Sequence, residues 1–313
     1  MRHDMIQSSV AAAIVCILCA FGAAPAAAFE GPGSTGAAYL GLAAGPVSAA
    51  MGDASAALEG DPFNWIVNPA LLGNVERFGM GVSHAEWILD TRFEHAEIHH
   101  RANRLFAIGA GIVYRYAPEI QGYDDVGTPT ELLESNSYQA ALALAVTPLP
   151  GLSAGVTAKY FRETLAEWSA GGAAADVGVF YAWPMPRIAV GLSVQNLGPD
   201  VGFDGVDEPL PTTIRGGTSA AFAVVPAVAE MRIAADIVKP RFESLYAAVG
   251  AELTLSGTLS IRAGWCGREY REGDGLTLGG GARILERLQV DYAYTPYGDL
   301  GNFHRIAVHF SLP

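Results

Sequence analysis

Charge is scarce in this chain. Only 16% of its 313 residues are Asp, Glu, Lys or Arg, against about 25% in ordinary soluble domains, while half of the residues are hydrophobic. Such a balance usually indicates membrane helices, yet beyond residue 29 no apolar run approaches the roughly 18 residues that a spanning helix needs. Cysteine is nearly absent too. Cys16 and Cys19 lie in the N-terminal apolar stretch, and Cys266 alone excludes an intramolecular disulfide framework. The charge that is present is mostly negative, 32 acidic against 19 basic residues for a net −13, which argues against a nucleic-acid partner. Glycine-rich phosphate loops are missing as well. Gly109, Gly111 and the run from Gly279 to Gly281 stand inside strand-like runs with no helix following, so no nucleotide cofactor, and no cofactor of another kind, is expected. Within strands, their expected role is to let a crowded wall bend or accept plug and ligand at close range.

What is present is alternation. Leu288, Val290, Tyr292 and Tyr294 share one parity, with Gln289, Asp291 and Ala293 on the other; Ile306, Val308, Phe310 and Leu312 alternate with Arg305, Ala307, His309 and Ser311. Period two means strands with one apolar face. The same pattern recurs around Leu142, Leu192 and Ile261, its second face being Gly, Ala, Ser and an occasional charge. Strand centres fall near Gly81, Glu97, Gly109, Leu142, Val156, Val179, Leu192, Gly217, Ala234, Val249, Ile261, Gly279, Tyr292 and Val308. Fourteen is an even number, as expected for an antiparallel transmembrane β-barrel in the outer membrane of a Gram-negative-type, two-membrane bacterium. The connections read as alternately short and long, with long ones at Pro118 to Glu134, Glu163 to Gly171, Gly198 to Pro211 and "CGREYREGDG". A cation facing lipid at the midplane costs roughly 2–4 kcal/mol. Arg262, Asp176, Asp291 and Glu252 are therefore expected in the lumen or at strand ends. The outward face implies lipid and lipopolysaccharide as its surroundings. The acidic residues Glu119, Asp124, Asp125, Glu131, Glu134, Asp200, Asp204, Asp207 and Glu208 either bind divalent cations that bridge lipopolysaccharide or are simply solvated, the second being favoured.

Three regions follow. Residues 1–28 read as a secretory signal peptide, with Arg2 and His3 ahead of an apolar stretch and Pro25-Ala26-Ala27-Ala28 as the cleavage site; the small residues and Pro25 disfavour the alternative of a retained membrane anchor. Residues 29–77 lack any period-two run and are too long for a linker in a compact protein, so they read as a plug in the barrel mouth, with a short helix near Ala49 to Glu59 and with a disordered leader as the alternative that their Pro and Gly content also fits. Residues 78–313 form the barrel.

Two chemical candidates stand apart from this plan. "GLSAG", Gly151 to Gly155, matches the pattern of a hydrolase nucleophile elbow, but Ser153 lies in an alternating run without the helix that an elbow requires, so no enzyme is expected. His95, Glu97 and His99 share one strand face at a spacing compatible with a divalent metal. With no further ligand placed by sequence, a polar lumen face is favoured there and no metal is assigned.

The chain also resembles a known family. "GPVSAAMGDASAAL" followed by "NWIVNPALLG" is similar to the N-terminal signature of PorV/PorQ-type proteins, members of the FadL-like outer-membrane barrel superfamily; the matching positions include Met51, Gly52, Asn64, Asn68 and Pro69. "VGLSVQNLGP", with Asn196, and "LQVDYAYTPYGDLGNFHRI", with Asp291 and Tyr292, resemble later strand and turn motifs in the expected order. One departure is Asp53, where the family more often has Gly. The resemblance implies a fourteen-stranded barrel with an N-terminal plug and two divergent functions. One is a type IX secretion role in cell-surface attachment, with exported protein cargo as partner. The alternative is a channel for hydrophobic small molecules such as fatty acids. Phe310 and Leu312 resemble the C-terminal signal read by the outer-membrane barrel assembly machinery.

Overall fold

The computed structural model describes residues 31, 33–42, 45–185, 187–203, 205–269, 273–284 and 287–312. The expected signal peptide, with Cys16 and Cys19, lies outside them. Each alternating run becomes a strand: β1 (Phe78–Glu86), β2 (Arg92–Arg101), β3 (Phe106–Tyr123), β4 (Pro129–Leu149), β5 (Leu152–Leu165), β6 (Trp168–Trp183), β7 (Ile188–Leu197), the short β8 (Val201–Phe203) and β9 (Val206–Glu208), then β10 (Thr213–Val225), β11 (Ala229–Pro240), β12 (Tyr246–Leu255), β13 (Leu259–Cys266), β14 (Leu276–Ile284), β15 (Leu288–Pro296) and β16 (Asn302–Leu312). All but β8 and β9 pair in sequence order into one closed antiparallel barrel of fourteen strands. The expected strand centres fall one to each barrel strand. Closure joins β1 to β16, with Phe78 opposite Leu312 and Glu86 opposite His304. No edge is left among the fourteen strands, which is what a bilayer demands of a sheet.

The apolar parity faces outward. Val82, Ile112 and Leu142 are 58%, 60% and 68% exposed, whereas their strand neighbours Ser83, Gly111 and Ala143 face the interior. An outer surface so apolar is incompatible with water and is the lipid belt of a membrane barrel. The four charged residues expected inside are there, buried and paired. Arg262 Nε donates to Glu252 Oε2 at 2.6 Å and Nη1 to Asp291 Oδ1 at 2.7 Å. Lys159 Nζ lies 2.7 Å from Asp176 Oδ2.

Two expected long loops are instead strand. Between Pro118 and Glu134 the ladder continues to Tyr123 opposite Pro129, leaving only residues 124–128 as a turn. The same holds from Glu163 to Gly171, where Leu165 pairs with Trp168 and Ala166, at φ 53°, helps to make a two-residue turn. Outside the bilayer a hairpin can carry polar residues on both faces, so composition did not mark these strands. In the first turn Asp124 Oδ1 accepts from the N–H groups of Val126 and Thr128, and the Thr128 bond foremost holds its carboxyl below the usual range. The connection from Gly198 to Pro211 is long as expected and folds back on itself as the β8–β9 hairpin; Asp204 within it lies outside the described residues.

The segment before β1 packs inside the barrel. Its helix, α1, spans Pro46–Ala50 rather than the expected Ala49 to Glu59. It stops early because Gly52 and Asp53 adopt φ of 68° and 71°, the left-handed region that ends helices. Two 3₁₀ turns follow, at Asn64–Ile66 and Pro69–Asn74.

Candidate functional site

The interior of the barrel is where this segment meets the inward faces of the strands. Asp236 on β11 accepts the backbone N–H groups of Ser55 and Ala56 at 2.8 and 2.9 Å. Arg215 on β10 donates to the same Asp236 oxygen at 3.2 Å, to Asp53 Oδ2 at 2.9 Å and to the Asp53 carbonyl. The departure at Asp53 thereby has a physical account. An Asp in a left-handed turn is strained relative to Gly, and here its side chain and carbonyl are both held by one buried guanidinium.

The other motif residues divide by role. Met51 is fully buried among Val47, Ala54, Leu58, Ala234 and Ala248. The Gly52 N–H donates to Thr277 Oγ1 at 3.0 Å, and its Cα lies so near the β12 and β13 backbone that a Cβ would stand 2.5 Å from the Trp265 nitrogen. Asn64 Nδ2 donates to the Leu58 carbonyl at 2.9 Å. Asn68 caps the turn begun by Pro69, Oδ1 accepting from Ala70 N–H at 3.1 Å, while its Nδ2 donates to the carbonyls of Ala56 and Val179. Asn196 accepts from Lys159 Nζ at 2.8 Å and reaches the Leu40 carbonyl. Asp291 faces inward within the Arg262 cluster. Tyr292, at the opposite parity, faces outward and meets His304 Nδ1 at 2.7 Å. Most of the motif thus serves to seat the inner segment on the wall.

Down the inner face of β2, from the longer-loop end toward the short-turn end, come Phe93, His95, Glu97 and His99. The ring of Phe63 leans on His95, centroids 5.1 Å apart, and Trp65 Nε1 donates to Glu97 Oε2 at 3.1 Å. Of the low-ranked candidates His95, Glu97 and His99, the last two stand in a cluster that His95 does not share. His309 on β16 joins Glu97 and His99 instead, with a ligand-capable atom from each within 4.8 Å of the others. Closure of the barrel brings His309 there, two strands away across β1. Ser153 lies in β5, and its hydroxyl engages Thr147 Oγ1 at 3.1 Å, so the elbow context is absent.

Apolar and polar space are stacked along this wall. Toward the longer loops, Tyr39, Leu40, Phe161, Val201 and Leu210 form a buried apolar cluster flanked by Leu42, Phe93 and Phe203. Beneath it lies a cavity of about 30 Å³ bounded by Leu42, Ile66 and Phe93 on its apolar side and by His95, Gln139 and Arg305 on its polar side. Next along β2 toward the short turns come Phe63, packed on His95, and Trp65, bonded to Glu97. At the short-turn end are larger cavities: about 140 Å³ beside Asp61, His99 and His309, about 330 Å³ beside the Arg262 cluster, and about 410 Å³ between Glu59 and Trp183. Sequence reasoning missed Phe63, Trp65, Arg215, Asp236 and His309 as site residues. Only His309 left a usable trace, as the inward-parity member of a strand that must pair with β1.

No family model matches the chain, and no curated protein is significantly similar to it. Solved structures are. The Ralstonia pickettii toluene transporter TbuX superposes with a TM-score of 0.61 at 16% identity, over 86% of this chain and 98% of that one. The Pseudomonas putida toluene transporter TodX gives 0.58 at 12% identity, over 85% and 96%. A Pseudomonas aeruginosa FadL homologue gives 0.52 at 10% identity, over 85% and 98%. Nothing among these comparisons supports the narrower PorV/PorQ resemblance or its secretion branch. Topology, apolar belt and superposition over 86% of its length together make this chain a fourteen-stranded antiparallel outer-membrane β-barrel with the fold of FadL-type barrels.

Proposed function

We propose that the barrel is a passive conduit for small hydrophobic molecules across the outer membrane, with residues 33–77 as its plug. One observation carries this reading: an apolar cluster near the longer loops leads to an interior cavity and then to an aromatic closure made by the inner segment, in a barrel whose solved neighbours include two toluene transporters. The upper cavity holds about 30 Å³, whereas a dry cavity of about 150 Å³ accommodates benzene. The route is therefore closed in this conformation, and passage requires Phe63 and Trp65 to move. The secretion role implied by the PorV/PorQ resemblance has no comparable observation behind it.

Native mass spectrometry of the protein, extracted gently from outer membranes, tests the reading. A stoichiometric apolar molecule, lost on deleting residues 45–72, is the expected result. A stoichiometric exported protein without any small ligand would overturn the conduit and restore the secretion reading. Lipid, lipopolysaccharide and the assembly machinery remain the partners proposed for the belt and for the end of β16.

A further inference from the structure

Glu97 presents an electrostatic problem. Its side chain is wholly buried, and among the described residues no Lys or Arg nitrogen lies within 4.0 Å of it, whereas ring nitrogens of His99 and His309 do. A buried carboxylate needs a counter-charge or a metal. The hydrogen bonds around it fix which atoms are available. Trp65 Nε1 and His99 Nδ1 both lie 3.1 Å from Oε2. With His99 Nδ1 as the donor, its Nε2 carries the lone pair. Glu97 Oε1, His99 Nε2 and His309 Nε2 are all buried and have no hydrogen-bond partner. The two imidazoles stack with centroids 5.5 Å apart and planes 18° apart, and His309 Nε2 lies 3.5 Å from Glu97 Oε1.

The strand between them is cut away to allow this. On β1, Gly79 lies opposite His99, and Gly81 lies opposite both Glu97 and His309. A Cβ on Gly79 would stand 2.4 Å from His99 Nε2 and 2.7 Å from His309 Nε2. Two imidazoles can therefore meet over β1 only because it carries no side chain there.

We propose that Glu97, His99 and His309 form a binding site for a divalent first-row transition metal, with zinc as the best fit. Two imidazole nitrogens and one carboxylate oxygen are a common zinc set that leaves a fourth position open. Bonds of about 2.1 Å at tetrahedral angles separate ligand atoms by about 3.4 Å. The His309 Nε2 to Glu97 Oε1 spacing of 3.5 Å already meets this, and the 4.8 Å upper limit on the trio asks for a contraction of at most ~1.4 Å. His99 and His309 also line the cavity of about 140 Å³ at the short-turn end, which gives the site access from that side. Glu59, Asp61 and Glu76 on that cavity's wall outnumber Arg283 and Arg287, so a cation has an entry path with a favourable field. Once bound, the metal ties β2 to β16 across the closure strand, directly beneath Trp65.

The test uses the full barrel in detergent, stripped with chelator and then loaded with Zn²⁺ or Co²⁺. After desalting, elemental analysis should find about one zinc per chain, and cobalt should give the visible absorption of a low-coordinate nitrogen and oxygen site. His99→Gln and His309→Gln should each lose the metal while His84→Gln, at the outward-facing pair with Glu94, keeps it. Heat-modifiable gel migration verifies that each barrel is folded. Trp65→Phe, which frees the carboxylate, should weaken zinc binding about ten- to hundredfold. Failure of the unaltered protein to retain zinc or to show the cobalt band at saturating metal would overturn the proposal without recourse to any variant. Retention undiminished in both His99→Gln and His309→Gln would overturn it equally.

Discussion

Replacing Asp236 by Ala isolates the energy that holds the inner segment to the wall. In the native protein one carboxylate oxygen accepts the N–H groups of Ser55 and Ala56 at 2.8 and 2.9 Å and the Arg215 guanidinium at 3.2 Å. Hydrogen bonds to a charged acceptor contribute about 1.5–3 kcal/mol each, and removing one partner of a buried ion pair costs about 3–5 kcal/mol. These overlap, because Arg215 keeps Asp53 as a second partner. The net loss is therefore about 3–5 kcal/mol, a rise of roughly 10² to 10⁴ in the undocked population. The β11 ladder to β10 and β12 is made by backbone and stays intact. Hydrogen exchange read by mass spectrometry separates the two. Peptides covering residues 45–72 should exchange faster by that factor, with strand peptides unchanged. Unaltered protection around Ser55 and Ala56 in a folded Asp236→Ala barrel would refute the docking energetics.

Other perturbations follow the same geometry. Gly191→Ala would bring a Cβ to 1.9 Å from the Ala56 carbonyl, so the segment should become sensitive to limited proteolysis while the barrel keeps its heat-modifiable migration. Arg262→Met takes the nearest cation from Glu252 and Asp291, both buried, which keep Arg232 and the Gln289 amide respectively, and should lower stability to denaturant by about 3 kcal/mol. Phe63→Ala removes the ring against His95 and should raise single-channel conductance in planar bilayers. Asp61 lies in the inner segment outside the spanning strands, and burial pushes its carboxyl from 3.8 up to about 6, opposed by the Phe63 and Ser48 N–H groups. An acid that holds its proton more tightly when docked favours docking most below about pH 4; that support is lost as pH rises through about 6. Channel openings should therefore be rarer at pH 4.5 than at pH 7, and Asp61→Asn should flatten the difference.

The wall was legible because a bilayer enforces strict alternation. Leu142 cannot trade parity with Ala143 without putting the whole strand's apolar face inside, so every strand centre could be placed from residues alone. That constraint ends at the membrane surface. Beyond it, stretches such as Pro118 to Tyr123 pair in a ladder although their composition reads as loop. The inner segment was recognisable as something other than strand, but not its path, since Asp53, Asn64 and Asn68 are held by partners more than a hundred residues away or by neighbours' carbonyls. The Glu97 cluster shows the same limit more sharply. His95 is nearer in sequence, yet His309 arrives through closure of the sheet, and the register that levels it with Glu97 is set by the β1 pairing on either side.

Uptake through a lipopolysaccharide-bearing outer membrane tests the central claim most directly. Cells that lack endogenous hydrophobic-compound channels would express either this barrel or the Phe63→Ala variant, at matched levels in the outer membrane, and accumulation of labelled toluene and oleate would be followed over time. Faster accumulation than in cells without the barrel, faster still with Phe63→Ala, is the predicted result. Accumulation no faster than the empty-host control for both compounds and both proteins would contradict the conduit.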